Sequence, residues 1–246
     1  MAGTKGRMLL RGAAALAVSA VMAAPALAHD VSEHARQMML EGGLIDVVWI
    51  GAEHMLTGYD HLLFLLGVLF FLQGFGPIVR FITAFTLGHT LTLMGATMLG
   101  ITANAYLVDA VIALTVCYKA FENLGLFRSW FGVDAPNLIY MVFLFGLIHG
   151  FGLSTRLQDM TLVEDSALVS KILAFNVGVE LGQVAALSLM IGVVRLWRQT
   201  TVWTPVMRAA NLALLVAGLG LFAVQMDGFV RDDTQVAAMV ATSAKG

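Results

Sequence analysis

The stretch "EHMLTGYDHLLFLL", Glu53 to Leu66, decides how the chain is read. Two histidines and an aspartate, His54, His61 and Asp60, stand at the head of an unbroken apolar run. An ionisable side chain at the centre of a membrane helix costs about 2.5–3.5 kcal/mol, so such groups face a bundle interior and need a partner or a use. His54 and His61 are seven positions apart, about two helical turns, and share one face of a straight helix. Asp60 joins them only where the helix bends, and Gly58 is the residue that allows a bend. A carboxylate beside an imidazole can also serve by fixing its tautomer.

The rest of the chain is as apolar as that run. Of 246 residues, 59% are hydrophobic and 12% charged, and the mean hydropathy is +0.85. Soluble domains are about 45–50% apolar and about 25% charged. The charge deficit predicts an all-α, polytopic bundle in a lipid bilayer. A formal net charge of −2 without a basic run excludes nucleic acid as a partner. The single Cys117 excludes an internal disulfide and a multi-cysteine metal site.

Residues 1–28 read as a cleavable signal peptide, with Lys5, Arg7 and Arg11 ahead of an apolar segment and Ala26-Leu27-Ala28 at the cleavage site. Residues 29–45 then form a periplasmic leader, 46–226 a six-helix transmembrane domain, and 227–246 a weakly patterned periplasmic tail. The six apolar windows are 46–72, 78–98, 104–125, 138–156, 170–197 and 206–226, each near the ~20 residues that a span needs. With residue 29 outside, Arg80, Arg128, Arg195, Arg198 and Arg208 fall at cytoplasmic ends while most acidic residues fall outside. That agrees with the positive-inside rule and predicts an inner-membrane protein with both termini periplasmic.

Polar groups recur inside these windows. Thr83, Thr86 and His89 recur every three residues in the second, and His149 stands between Gly146 and Gly150 in the fourth. In the fifth, Asn176, Glu180 and Gln183 share a face. In the third, Glu122 follows Lys119 by three residues, a spacing that allows a helical ion pair. Glu122 and Asn123 lie deep toward the cytoplasmic end, as an inner exit site or an anchor. Taken singly, most of these read as packing residues or helix-backbone partners. Taken together, four histidines and two carboxylates on separate spans must all avoid lipid, and therefore converge. Imidazole with carboxylate suits Ni²⁺, Co²⁺ or Zn²⁺ better than Cu(I). The leader adds His29 and His34 beside Asp30 and Glu33, a candidate periplasmic capture site.

At these residues the chain resembles the HupE/UreJ family of hydrogenase and urease accessory membrane proteins. "HMLTGYDH" fits its H-x-x-x-G-x-D-H core, and "FGLIHGFG" and "FNVGVELGQ" resemble its later signatures. Where that family often has proline and methionine, this chain has Met55 and Leu65, as a divergent branch would. The resemblance implies a nickel or cobalt permease in which His54, Asp60 and His61 recognise metal and His149 and Glu180 hold it further in.

The resulting expectation is a transporter and not an enzyme. His54, Asp60 and His61 form an outer mouth, and His89, His149 and Glu180 a mid-membrane site. Thr86, Asn176, Gln183, Glu122 and Asn123 line the path. Ni²⁺ is the first candidate cargo, with Co²⁺ and Zn²⁺ as alternatives, and metalloenzyme maturation proteins are candidate partners. Two other classes use the same residues: a membrane-embedded metalloenzyme or metal-holding assembly factor, and a proton-relay subunit of a membrane complex.

Overall fold

The computed structural model describes residues 37–39, 41–69, 75–159, 167–197 and 203–243. The expected signal peptide, His29 and His34 lie outside the described residues. All regular structure within them is helical: α1 (Leu44–Thr57), α2 (Tyr59–Leu69), α3 (Phe75–Leu99), α4 (Ala105–Asn123), α5 (Leu138–Asp159), α6 (Leu168–Trp197) and α7 (Trp203–Ser243). A π-helical turn, Phe127–Phe131, lies between α4 and α5.

The first apolar window is two helices, broken at Gly58. Its φ of −65° and ψ of 106° are extended, its N–H donates to the His54 carbonyl at 2.9 Å, and its own carbonyl accepts from Leu62 N at 3.0 Å. Any residue can adopt that backbone; glycine is needed here for space. A Cβ would stand 2.6 Å from His61 Nδ1 and 2.9 Å from the His54 carbonyl oxygen.

Four helical stretches are long and apolar enough to cross a membrane: Gly76–Leu99, Leu138–Gln158, Leu168–Val194 and Trp203–Asp232. The remaining helices differ for local reasons. α1 and α2 are shortened by the break, and the 19-residue α4 carries Asp109, Lys119 and Glu122. Large apolar side chains such as Leu87, Leu91, Leu181 and Leu189 point outward, the surface expected where the solvent is hydrocarbon. The chain is a membrane protein.

The helices associate in pairs: α3 with α5, α1 with α6 and α4 with α7. Lipid tails supply no hydrophobic drive between helices, so association depends on close packing at small residues. A Cβ at Gly88 or Gly146 would overlap a carbonyl oxygen across the α3–α5 contact, and one at Gly51 or Gly178 would do the same across α1–α6. On α7, a Cβ at Gly218 would lie 2.6 Å from Cys117 Sγ of α4. The short α2 runs through the centre, with Phe64, Leu65 and Val68 buried. The Phe64 ring packs among Phe81, Phe85 and Phe145 of α3 and α5.

α7 continues as helix beyond Met226, through the segment that looked weakly patterned, to Ser243. Asp227 and Arg231 pair one turn apart at 2.8 Å. Asp232 accepts from Asn104 Nδ2 at 2.8 Å, and Asn104 itself caps the start of α4.

Candidate metal centre

The break at Gly58 starts a new helix at mid-depth and puts Asp60 in its first turn. Opposite, His149 is the twelfth of the 22 residues of α5. One ligand atom each from Asp60, His61 and His149 lie within 4.8 Å of one another. Ligands around a first-row cation at about 2.1 Å are spaced by about 3–3.5 Å, so a contraction of about 1 Å would close this set on an ion.

Hydrogen bonding fixes how each imidazole is presented. His149 Nδ1 lies 2.8 Å from the Phe145 carbonyl oxygen, which can only accept, so Nδ1 carries the proton and Nε2 the lone pair. That Nε2 is buried and has no hydrogen-bond partner among the described residues. Leaving such an atom unsatisfied costs about 1–3 kcal/mol. His61 Nδ1 lies 3.0 Å from Asp60 Oδ1; an ionised carboxylate accepts, so His61 also presents Nε2. The carboxylate–imidazole pair thus orients a metal-ready nitrogen. His61 and His149 are 6% and 3% exposed, and aromatic faces of Phe64 and Phe85 enclose His149.

His54, at the end of α1, completes the group from one side. Its ring is 5.0 Å from that of His61 and nearly edge-on, and it also packs on Phe175 of α6. The break therefore brings His54, Asp60, His61 and His149 to one place. The expected outer mouth and part of the expected inner site are one cluster.

His89 stands apart, stacked on the Phe85 ring at 6.0 Å. Its Nδ1 is 2.8 Å from Asn176 Oδ1. Asn176 Nδ2 donates to the Ile172 carbonyl at 2.8 Å, which turns the amide oxygen toward His89 and leaves His89 Nε2 unprotonated. Thr86 Oγ1 donates to Gln183 Oε1 at 3.4 Å. These contacts join α3 to α6. Glu180 lies between Asn176 and Gln183 along the same stripe, partly buried, and is not among the residues that converge on the His61–His149 cluster. Thr83 is exposed, so the expected threonine stripe turns inward only at Thr86.

Glu122 and Asn123 occupy a second polar region at the far end of α2. Lys119 Nζ is 2.7 Å from Glu122 Oε2, with the two side chains 1% and 9% exposed. Asn123 Nδ2 donates to the Gly67 carbonyl at 2.7 Å and to Asn211 Oδ1 at 2.5 Å.

One pair escaped sequence reasoning. Arg156 of α5 donates to Asp109 of α4 at 2.5 Å, both largely buried. Arg156 read as an outer-loop residue, and helical spacing gives no sign of a partner 47 residues away on another helix. The available signal was Asp109 itself, a carboxylate inside an apolar window.

Residues 29–231 match the protein family described as HupE / UreJ protein. Comparison with curated proteins and with solved structures gives no match. The family match extends over most of the chain and takes in every helix that shapes the histidine cluster. This helical membrane protein belongs to the HupE/UreJ family.

Proposed function

We propose that the chain is a permease carrying a divalent transition metal, Ni²⁺ first and Co²⁺ next, from periplasm to cytoplasm. Membership of the HupE/UreJ family supports a nickel or cobalt accessory or transport role. The observation that carries the transport reading is the buried Nε2 of His149, unpartnered and facing His61 and Asp60. A packing histidine would have both nitrogens satisfied. Here the lone pairs of neutral imidazoles gather beside a carboxylate in an apolar bundle, a borderline nitrogen/oxygen set suited to those ions.

In this reading the signal peptide 1–28 is removed, both termini are periplasmic, and six membrane crossings lie in the inner membrane. The broken α1–α2 counts as one crossing and α4 as another. His54 and His61 receive the ion, Asp60 offsets its charge, and His149 holds it. His89, Thr86, Asn176, Glu180 and Gln183 line the way beside it. Imidazole and carboxylate exchange such ions more readily than thiolates would, as passage requires.

The test is uptake at matched protein level. His61→Ala and His149→Ala are each expected to bring nickel accumulation in cells to background, and parental accumulation in both would overturn the proposal. Flux into liposomes separates carriage from holding: an assembly factor or enzyme would retain the metal and pass none. Loading is also expected to fall on acidification, because ligation needs imidazoles with a free lone pair.

A further inference from the structure

The described residues contain three buried side-chain polar atoms without a partner: His149 Nε2, Asn123 Oδ1 and Tyr118 OH. The first belongs to the histidine cluster. The other two lie together on the last turns of α4, with Lys119 and Glu122 between them. Tyr118 and Glu122 are one turn apart, as are Lys119 and Asn123, so the four side chains form one patch.

We propose that this patch is a second cation site, built of oxygens, in which the Lys119 ammonium is the resident cation. Four observations carry the proposal. The Asn123 amide is held by two donations from Nδ2, to Gly67 O and Asn211 Oδ1, and Asn211 is itself held by donating to the Met207 carbonyl at 2.8 Å. Asn123 Oδ1 is therefore aimed away from these acceptors and cannot flip without opposing oxygen to oxygen. The patch also sits where α2 and α4 end, at Leu69 and Asn123, and carbonyl-rich helix ends attract positive charge.

The third observation is room. A Cβ at Gly67 would stand 3.1 Å from Lys119 Cγ, so this glycine admits the lysine stem beside the central helix. The fourth concerns energetics: a buried ion pair is often no more stabilising than an apolar pair of similar volume. A purely structural joint would also not strand two oxygen atoms.

Glu122, Asn123 and Tyr118 offer only hard oxygen donors, which favour Mn²⁺ or Mg²⁺ and hold Ni²⁺ less firmly than imidazole does. A cation reaching Glu122 displaces Lys119 and is held weakly enough to leave. The role in release rests on the transport reading above, whereas the existence of the site does not.

Mn²⁺ binding to the purified full-length chain tests it. Lys119→Met is expected to add one Mn²⁺ equivalent per chain over the parent, and to have its lowered melting temperature raised by Mn²⁺. Adding Glu122→Gln to that variant should remove both effects. A Lys119→Met chain that gains no equivalent overturns the proposal. Co²⁺ loading at His61 and His149 is read in parallel. A chain that gains Mn²⁺ but takes up no Co²⁺ supports the oxygen site and counts against the transport reading alone. Should Lys119→Met not fold, Glu122→Gln is measured in liposomes. Co²⁺ flux is then expected to fall about tenfold, the worth of one charged hydrogen-bonding partner, at unchanged Co²⁺ loading; undiminished flux overturns the proposal.

Discussion

The break at Gly58 and the inner end of α4 both bury ionisable groups among apolar helices, and they settle the cost in opposite ways. At the inner end the charges cancel within the protein, Lys119 against Glu122 at 2.7 Å. At the break, His61 and His149 bring only neutral lone pairs beside one carboxylate, and His149 Nε2 has nothing to bond. The first region is complete without a guest and the second is not. Removing a member of the first should therefore damage the fold, and removing a member of the second should damage binding.

The largest expected effect tests the charge pair. Breaking a buried pair from one side costs about 3–5 kcal/mol, while replacing both members by neutral groups of similar size is near neutral. Lys119→Met should thus lower stability in thermal unfolding without added metal far more than Lys119→Met combined with Glu122→Gln. Equal losses would erase the contrast between the two regions. Next comes His149→Phe, which keeps a ring against Phe64 and Phe85. It should lose metal by about 100-fold or more in affinity, the upper range for disturbing a ligand shell, with little change in unfolding temperature.

Gly58→Ala is expected to do less. The new methyl presses on His61 Nδ1 and loosens its bond to Asp60, weakening metal binding about tenfold in a titration while the helices persist. The smallest effect belongs to Arg128 and Asp134, paired at 2.8 Å but 78% and 79% exposed. Arg128→Gln should shift stability by less than about 0.5 kcal/mol. A larger shift would mean that surface charges also matter to the comparison.

Much of this was legible beforehand, because lipid leaves few options. Apolar windows of span length, the inward placement of charge and the reading of Gly58 as a bend follow from hydropathy and helical spacing, which act along the chain. The i,i+3 spacing of Lys119 and Glu122 is equally local. Depth and partnership are not. Nothing in "FGLIHGFG" says that Phe145 would take the Nδ1 proton of His149, or that His61 would meet that ring ahead of His89. Glu180 shares a stripe with Asn176 and Gln183, as its spacing requires, yet helix rotation keeps it out of the cluster. Asp109 and Arg156 meet only because α4 lies against α5.

The amino-acid sequence by itself determined that this is a helical membrane protein, which family it belongs to, and which side chains could not be left facing lipid. Those follow from composition, period and motif, properties a chain has before it folds. Only the tertiary structure decided which of those side chains share a site. That choice depends on the close approach of α3 to α5 and α1 to α6 at glycines and on the break that sets α2 at the centre. Such contacts join residues far apart in sequence, where helical period carries no information.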